Sequence, residues 1–326
     1  MSIHVVVGAG PVGSATALLL AEAGEEVRLV SRRGRAPEHP GIEAVAADAG
    51  APGVLDRHTA GAAVVYNCAN PSAYQHWAAQ WPPLAAAILG AAERSGAVLA
   101  TVSNLYGYGR ATGPLTEQTP LAPTGGKGRL RADMWLAAEA AHRAGRLRAV
   151  EVRSADYFGP RVEESAAGKM LVPRVLRNRP GIVLGRTDQP HSYTYVVDAA
   201  RTLVRLAAEE SAWGRPWHVP SHPPMTQREF AERLCAVTGA RRPQLITVGR
   251  GVRRLAGLRN PRIREFEEVA HQVEGPFVLD SSACARRFGL LPTPLDEALH
   301  ATAAWWRGTP TQPEKPLVST GLEART

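Results

Sequence analysis

Three glycines near the start of the chain carry the clearest chemistry. Gly8-Ala9-Gly10-Pro11-Val12-Gly13 has the spacing GxGxxG and stands between an apolar run at 3–7 and an alanine- and leucine-rich stretch at 14–23. A strand, a tight turn and a helix in that order bind a dinucleotide. Gly8 permits the turn, Gly10 lets the backbone approach a pyrophosphate, and Gly13 lets the helix sit against the sheet. Pro11 and Val12 fall in the first helical turn, whose unpaired N–H groups and dipole attract the pyrophosphate charge. The next apolar run, 27–30, ends in Ser31-Arg32-Arg33, where a site for NAD carries a carboxylate that holds the ribose diol. Two guanidinium groups match a 2′-phosphate instead. The expected cofactor is therefore NADPH, with NADH as the lesser alternative.

These residues need a scaffold, and the first half of the chain supplies its pattern. Short apolar runs at 3–7, 27–30, 44–47, 62–67, 98–102 and 149–152 alternate with helix-forming stretches such as 84–95 and 130–144. That rhythm predicts right-handed βαβ crossovers in a doubly wound parallel sheet, an α/β Rossmann fold. From about residue 159 the rhythm breaks, proline becomes frequent, and helical stretches at 198–209 and 227–237 stand between irregular segments. The expected organisation is a dinucleotide-binding domain over 1–158 and a smaller, mixed substrate lobe over 159–308, with some of its segments returning to the first core. A polar, proline-bearing tail at 309–326 is expected to be disordered.

At 326 residues, 44% hydrophobic and 21% charged, the chain has enough apolar sequence for two such lobes. No apolar run is long enough to span a bilayer, and no secretory leader precedes the first strand, so a cytoplasmic location without membrane contact is expected. Cys68, Cys235 and Cys284 lack metal-ligand or disulfide spacing, which predicts reduced structural thiols and no metal site. The formal charge of +8 is almost all arginine, since Lys127, Lys169 and Lys315 are the only lysines. Eight arginines crowd 241–264, but no aromatic interleaving or nucleic-acid module accompanies them. A solvated arginine face is expected there, with a small molecule rather than nucleic acid as partner.

Further landmarks follow in order. Asp48-Ala49 closes the third run, Asn67-Cys68-Ala69-Asn70-Pro71 follows the fourth, and Ser103-Asn104-Leu105-Tyr106-Gly107 the fifth. Ser154-Ala155-Asp156-Tyr157-Phe158-Gly159-Pro160, the segment from His191 to Asp198, and Asp280-Ser281-Ser282 with Gly289 and Pro292-Thr293-Pro294 complete the series. Together they resemble the extended short-chain dehydrogenase/reductase superfamily, which contains nucleotide-sugar epimerases and dehydratases, over nearly the whole chain to about residue 307. The resemblance implies that Asp48 and Ala49 contact adenine and that Cys68, Ala69 and Asn70 lie beside the cofactor ribose. It further implies that Val102 borders the nicotinamide and that Ser154, Ala155, Asp156, Tyr157 and Phe158 form the turn covering it. Asp156 stands where the family has Asn, and His191 where it has Arg.

The family's proton relay, a Tyr with Lys four residues later and a nearby Ser or Thr, is missing. None of the seven tyrosines has Lys at that spacing. Aligned with the family, Thr124 fills the tyrosine slot, Gly128 the lysine slot and Val102 the hydroxyl position; a one-residue slip brings in Lys127 but puts Pro123 opposite it. A threonine hydroxyl does not titrate in a useful range. Epimerases and dehydratases need that base, whereas reduction of a ketone can rest on orientation and a proton from elsewhere, including a phenol of the substrate. The family contains relatives without the relay, among them ketoreductases of aromatic polyketides. The expected function is thus an NADPH-dependent ketoreductase acting on a largish aromatic metabolite of antibiotic-biosynthesis type. The alternatives are a non-catalytic NADP(H) sensor and a nucleotide-sugar enzyme with relocated catalytic groups. Ser103, Tyr106 and Lys127 are the candidate catalytic residues, with Lys127 also a candidate for the nicotinamide ribose. Asp156 is expected to hold its turn, and Tyr74, Trp77, His191 and Tyr193 to line the pocket, with His76 and Trp81 nearby.

Overall fold

Eleven strands and twelve helices are present in the computed structural model, which describes residues 2–71, 73–110 and 112–308; the tail expected at 309–326 lies outside them. The strands are β1 (Ile3–Val7), β2 (Glu26–Ser31), β3 (Ile42–Ala46), β4 (Ala62–Asn67), β5 (Val98–Asn104), β6 (Arg148–Ser154), β7 (Asp156–Phe158), β8 (Gly181–Leu184), β9 (Tyr193–Tyr195), β10 (Pro216–His218) and β11 (Leu245–Val248). The helices are α1 (Pro11–Glu22), α2 (Asp56–Thr59), α3 (Trp77–Ser95), α4 (Gly126–Arg143), α5 (Val172–Leu176), α6 (Val196–Ala207), α7 (Gln227–Thr238), α8 (Arg250–Gly257), α9 (Pro261–Phe266), α10 (His271–Glu274), α11 (Ser282–Phe288) and α12 (Leu295–Arg307).

Seven strands form one parallel sheet in the order β10-β6-β5-β4-β1-β2-β3. From β1 the chain builds outward to β2 and β3, then crosses to β4 on the other side and continues to β5 and β6. The switch point lies between the C-terminal ends of β1 and β4, where open α/β sheets bind ligands. Alternation along each strand serves two cores. Val6, Leu29 and Tyr66 face α1 and α6, while Val5, Val7, Val30 and Val65 face the side of α3 and α4. Strands covered on both faces read as continuous apolar runs, which is why they were visible in the sequence.

Helix α3 starts at Trp77, seven residues before the expected 84, and carries Pro82 and Pro83 inside it. Each proline removes one N–H from the ladder. Trp77 and Trp81, one turn apart and 3% and 0% exposed, hold the extra turn by burial. The second half contains two small parallel pairs, β8 with β11 and β7 with β9. Strands of three or four residues give no alternation to detect, so the sequence reads this region as irregular. Phe158, Tyr193, Tyr195, Phe230, Leu234 and Leu299 form a separate core that holds α5, α7 and α12. β10 returns to the edge of the main sheet and α6 packs beneath it. Among the described residues no helix is long and apolar enough to cross a membrane.

A buried polar chain ties β10 to the sheet. Arg153 Nε donates to Glu151 at 2.7 Å and Arg153 Nη1 to the Tyr108 hydroxyl at 2.8 Å, which lies 2.8 Å from His218 Nε2; His218 Nδ1 lies 2.9 Å from the carbonyl of Asp280. A carbonyl only accepts, so Nδ1 carries the hydrogen and Nε2 accepts from Tyr108. Burial and the neighbouring guanidinium hold this ring neutral and push its pKa down from 6.5 to about 4. The unfolded chain therefore binds the extra proton first, and the stabilisation is complete above pH 6.5 and lost as pH falls toward 4, by about 3 kcal/mol. His4 and His271, also lowered by burial, act in the same sense. Chemical denaturation between pH 7 and 4 is expected to show this loss, and His218→Asn to flatten the slope; an unchanged slope in the variant removes His218 as its cause.

Candidate functional site

Gly8 leaves β1 at φ +108°, and a Cβ there would stand 2.7 Å from the Cys68 carbonyl oxygen and the Ala69 Cα. A Cβ on Gly13 would stand 1.9 Å from the Gly8 carbonyl oxygen. Both positions admit glycine alone. Gly10 differs: nothing lies within 4 Å of its Cβ position, so the space over the N-terminus of α1 is open. Pro11 begins α1, Val12 is buried in its first turn, and that turn has neither a side-chain cap nor an acidic residue. Free N–H groups beneath an open, Cβ-less approach fit a pyrophosphate. Ser31, at the end of β2, accepts from the backbone N–H of Arg35 at 3.1 Å, and Arg32 and Arg33 are exposed beside it. Asp48 is exposed and accepts from Gly50 N at 3.0 Å, next to buried Ala49. The thiol of Cys68 is pushed up to about 12 by burial, so it is not a nucleophile.

Across the switch point, helix α4 presents two cations one turn apart. Arg131 is 7% exposed, its guanidinium carbon lies 4.3 Å from the ring centre of Trp81 and 5.0 Å from that of Trp77, and Nη2 donates to Asn70 at 2.9 Å. Nε and Nη1 are buried without a partner. Burial lowers its pKa, although a guanidinium stays charged. Lys127 is equally buried, but Nζ reaches Glu265 at 2.8 Å and Glu268 at 3.0 Å, and it lies 5.3 Å from the Tyr74 ring centre. Glu268 also accepts from Lys127 N at 2.6 Å. The ammonium expected at a ribose or phenolate is thus held by two carboxylates from α9 and the turn after it. Thr124 precedes α4, and Gly128 is the helix's close contact with the Tyr106 carbonyl, 2.5 Å from where its Cβ would be. The cation pair at four-residue spacing is Lys127 and Arg131, three residues later than the Thr124 and Gly128 slots. That spacing and the Trp77-to-Trp81 step were both present in the sequence as signals for the missed Arg131.

Aromatic rings line the same edge. The hydroxyls of Tyr106 and Tyr74 are 2.6 Å apart, and Trp77 stacks on Tyr106 at 6.1 Å. Burial pushes Tyr74 up to about 12 and Tyr106 well above its ordinary value, so neither phenol loses its proton near neutral pH. Ser103 is buried and bonds Glu151, whose own pKa burial raises; Val102 lies beside it in β5 against Val152. The Asp156 carboxylate does not close its own turn: Oδ2 is 2.8 Å from His191 Nε2. His191 Nδ1 lies 3.2 Å from the Gln272 carbonyl, and the ring packs on Tyr193 and Phe277. Ser154 is buried, Ala155 N donates to Thr194 at 3.1 Å, and Tyr157, against Ser154, is pushed up to about 12 by burial. Phe158, expected over the nicotinamide, is fully buried against Tyr195 and Phe230 in the second core. The structure thus gathers Asn70, Tyr74, Trp77, Tyr106, Lys127 and Arg131 at one edge, with Asp156 of β7 near enough for Tyr74 and Tyr106 to feel its charge and His191 bonded to it. The arginine segment departs from a wholly solvated face at Arg253, which is 1% exposed and paired with Glu267 and Glu274.

No curated protein matches the sequence. Among solved structures the chain is similar to the UDP-glucose 4-epimerase of Thermotoga maritima, crystallised with UDP-glucose, at TM-score 0.77 and 19% identity, covering 94% of this chain and 99% of that one. It is similar to a dTDP-glucose 4,6-dehydratase of Streptomyces venezuelae with NAD bound, at 0.74 and 22%, covering 94% and 97%. A UDP-glucuronic acid 4-epimerase of Bacillus cereus, in complex with UDP-glucuronic acid and NAD, gives 0.75 and 17%, covering 94% and 99%. These likenesses establish the fold. Residues 4–219, about two thirds of the chain, match the model of the NAD dependent epimerase/dehydratase family, and the chain belongs to that family.

Proposed function

We propose that this protein is an NADPH-dependent ketoreductase acting on a largish aromatic ketone. The observation that carries the reading is the ring wall of Tyr74, Trp77 and Tyr106 beside Arg131, a buried cation with two unmatched donors and no phenol that titrates near neutrality. A flat ring system fits such a wall, and a carbonyl oxygen or a ribose hydroxyl fits the free guanidinium donors. When bound, the reduced nicotinamide supplies a hydride to the ketone. Gly8, Gly10 and Gly13 shape its pyrophosphate turn, Arg32 and Arg33 select the 2′-phosphate, and Arg131 with Asn70 orients oxygens at the reacting end.

The fold relatives that bind nucleotide sugars support a second reading, a nucleotide-sugar enzyme. Against it stands Asp156, a carboxylate in a slot where the family has neutral Asn, paired with His191 in a slot where the family has Arg. An Arg in that slot would offer a second pyrophosphate a fixed positive charge, whereas His191 spends Nε2 on Asp156. The Tyr and Lys of the epimerases and dehydratases also have no counterpart at their spacing.

Fluorescence titration is expected to show NADPH binding far tighter than NADH, and Arg32→Ala with Arg33→Ala to remove most of that preference; equal losses for both dinucleotides reject NADP selection. NADPH is expected to be oxidised by polycyclic aromatic ketones or quinones and UDP-glucose to remain unchanged. Turnover of the sugar nucleotide alone overturns the reading, and binding without any turnover points to a sensor. Arg131→Met keeps the stack on the indoles while removing the unmatched charge. It is expected to raise the melting temperature of the ligand-free protein and to weaken NADPH about tenfold or more, the worth of a hydrogen bond from a charged donor. Unchanged NADPH affinity would remove Arg131 from the site.

A further inference from the structure

We infer that Asp156 and His191 form a proton-holding pair that replaces the missing phenol–ammonium relay, with Asp156 as the donor to the substrate oxygen and His191 as the reservoir behind it; this rests on the ketone reading above. Hydrogen counting carries the inference. His191 Nδ1 faces the Gln272 carbonyl at 3.2 Å, so that nitrogen bears a hydrogen. His191 Nε2 faces Asp156 Oδ2 at 2.8 Å. A neutral imidazole with its one hydrogen on Nδ1 would set a lone pair against a carboxylate lone pair at that distance. The contact holds only if one more proton sits between the two groups, as imidazolium with carboxylate or as imidazole with carboxylic acid.

The surroundings make the proton's route one-sided. The His191 side chain is 3% exposed and is closed in by Tyr193, Phe277 and the Gln272 carbonyl, none of which takes a proton near neutral pH. Asp156 is 24% exposed, and its charge is felt by Tyr74, Tyr106 and Tyr193. It begins β7, immediately past the C-terminal end of β6, and is the more exposed member of the pair. The other charged groups at this edge are Arg131, which cannot give up a proton, Lys127 paired with Glu265 and Glu268, Glu151 beside Ser103 and Arg131, and Glu164, whose charge Tyr74 feels. A reduced dinucleotide held at the Gly8–Gly13 turn would supply the hydrogen on carbon with the electron pair of the new C–H bond. The carbonyl π pair moves to oxygen, and Asp156 supplies the single proton that makes the O–H bond. The pair is left one proton short and is reloaded from water through the partly exposed carboxylate.

The test begins with the resting protein, without ligand. Nitrogen-15 histidine NMR at neutral pH is expected to show both His191 nitrogens protonated, or infrared spectroscopy a protonated carboxyl that Asp156→Asn abolishes. The amide that this isosteric substitution introduces can donate to Nε2, so the variant is expected to leave His191 with a hydrogen on Nδ1 only. A wild-type His191 with one hydrogen and no protonated carboxyl overturns the pair. With a ketone that oxidises NADPH, Asp156→Asn is expected to lower kcat about 100-fold or more at nearly constant KM and to abolish the fall in rate at high pH. Unchanged kcat, or a high-pH limb that survives in the variant, overturns the donor role. If the NMR shows the extra proton but no ketone is reduced, the ketone reading and with it the donor role fall, while the proton-holding pair stands as a finding about the fold.

Discussion

A guanidinium withdrawn from water with one hydrogen bond is the constraint around which the C-terminal edge of the sheet is arranged. Arg131 makes its bond to Asn70, in the loop after β4, and lies over two indoles from α3. Taking such an ion out of water costs several kcal/mol, and a cation over aromatic faces recovers only part of that. The same indoles keep α3 helical through Pro82 and Pro83, so the early start of α3 and the burial of Arg131 have one cause. Nε and Nη1 remain as an unmet demand for oxygen. A stability-driven protein would fill that position with an apolar side chain.

Charge also fastens the segment 253–274 to this edge. Lys127 joins α4 to Glu265 and Glu268, while Arg253 gathers Glu267 and Glu274 from the same segment. Four carboxylates within ten residues would repel one another without these two buried cations between them. One consequence is that much of the arginine richness of this region faces solvent, yet its order depends on the one arginine that does not. Another is that this segment, whose helix α9 meets the turn at Tyr74, is held by buried ion pairs together with the buried Val269, Ala270 and Val273.

The dinucleotide turn was legible because backbone geometry dictates it: at Gly8 and Gly13 no other residue fits, and the sequence states that requirement locally. The central strands were legible for a similar reason, since burial on both faces writes itself as a continuous apolar run. Arg131 was not, because its meaning depends on what surrounds it. In the sequence it is one of many arginines; in the fold it is a cation between two indoles. Asp156 and His191 stand 35 residues apart, and only the pairing of β7 with β9 brings them together. Strands that short leave no periodic trace. Lys127 shows the converse, since its residue type and neighbourhood were suggestive while its partners came from a segment almost 140 residues away.

A buried guanidinium at this edge has a chemical consequence. A buried lysine can exchange its proton with a neighbouring phenol, so holding an oxygen and moving a proton can be done by one couple. An arginine keeps its charge at any pH the fold survives, so it can orient an oxygen and stabilise negative charge on it but cannot pass a proton on. With Tyr74 and Tyr106 locked in a mutual hydrogen bond and raised out of range by burial, the phenols do not take over that task either. Orientation and proton supply must then reside in different residues. On this fold the group assigned a transferable proton beside the ring wall is Asp156, held to His191 where β7 pairs with β9, so the chemistry depends on that short pairing.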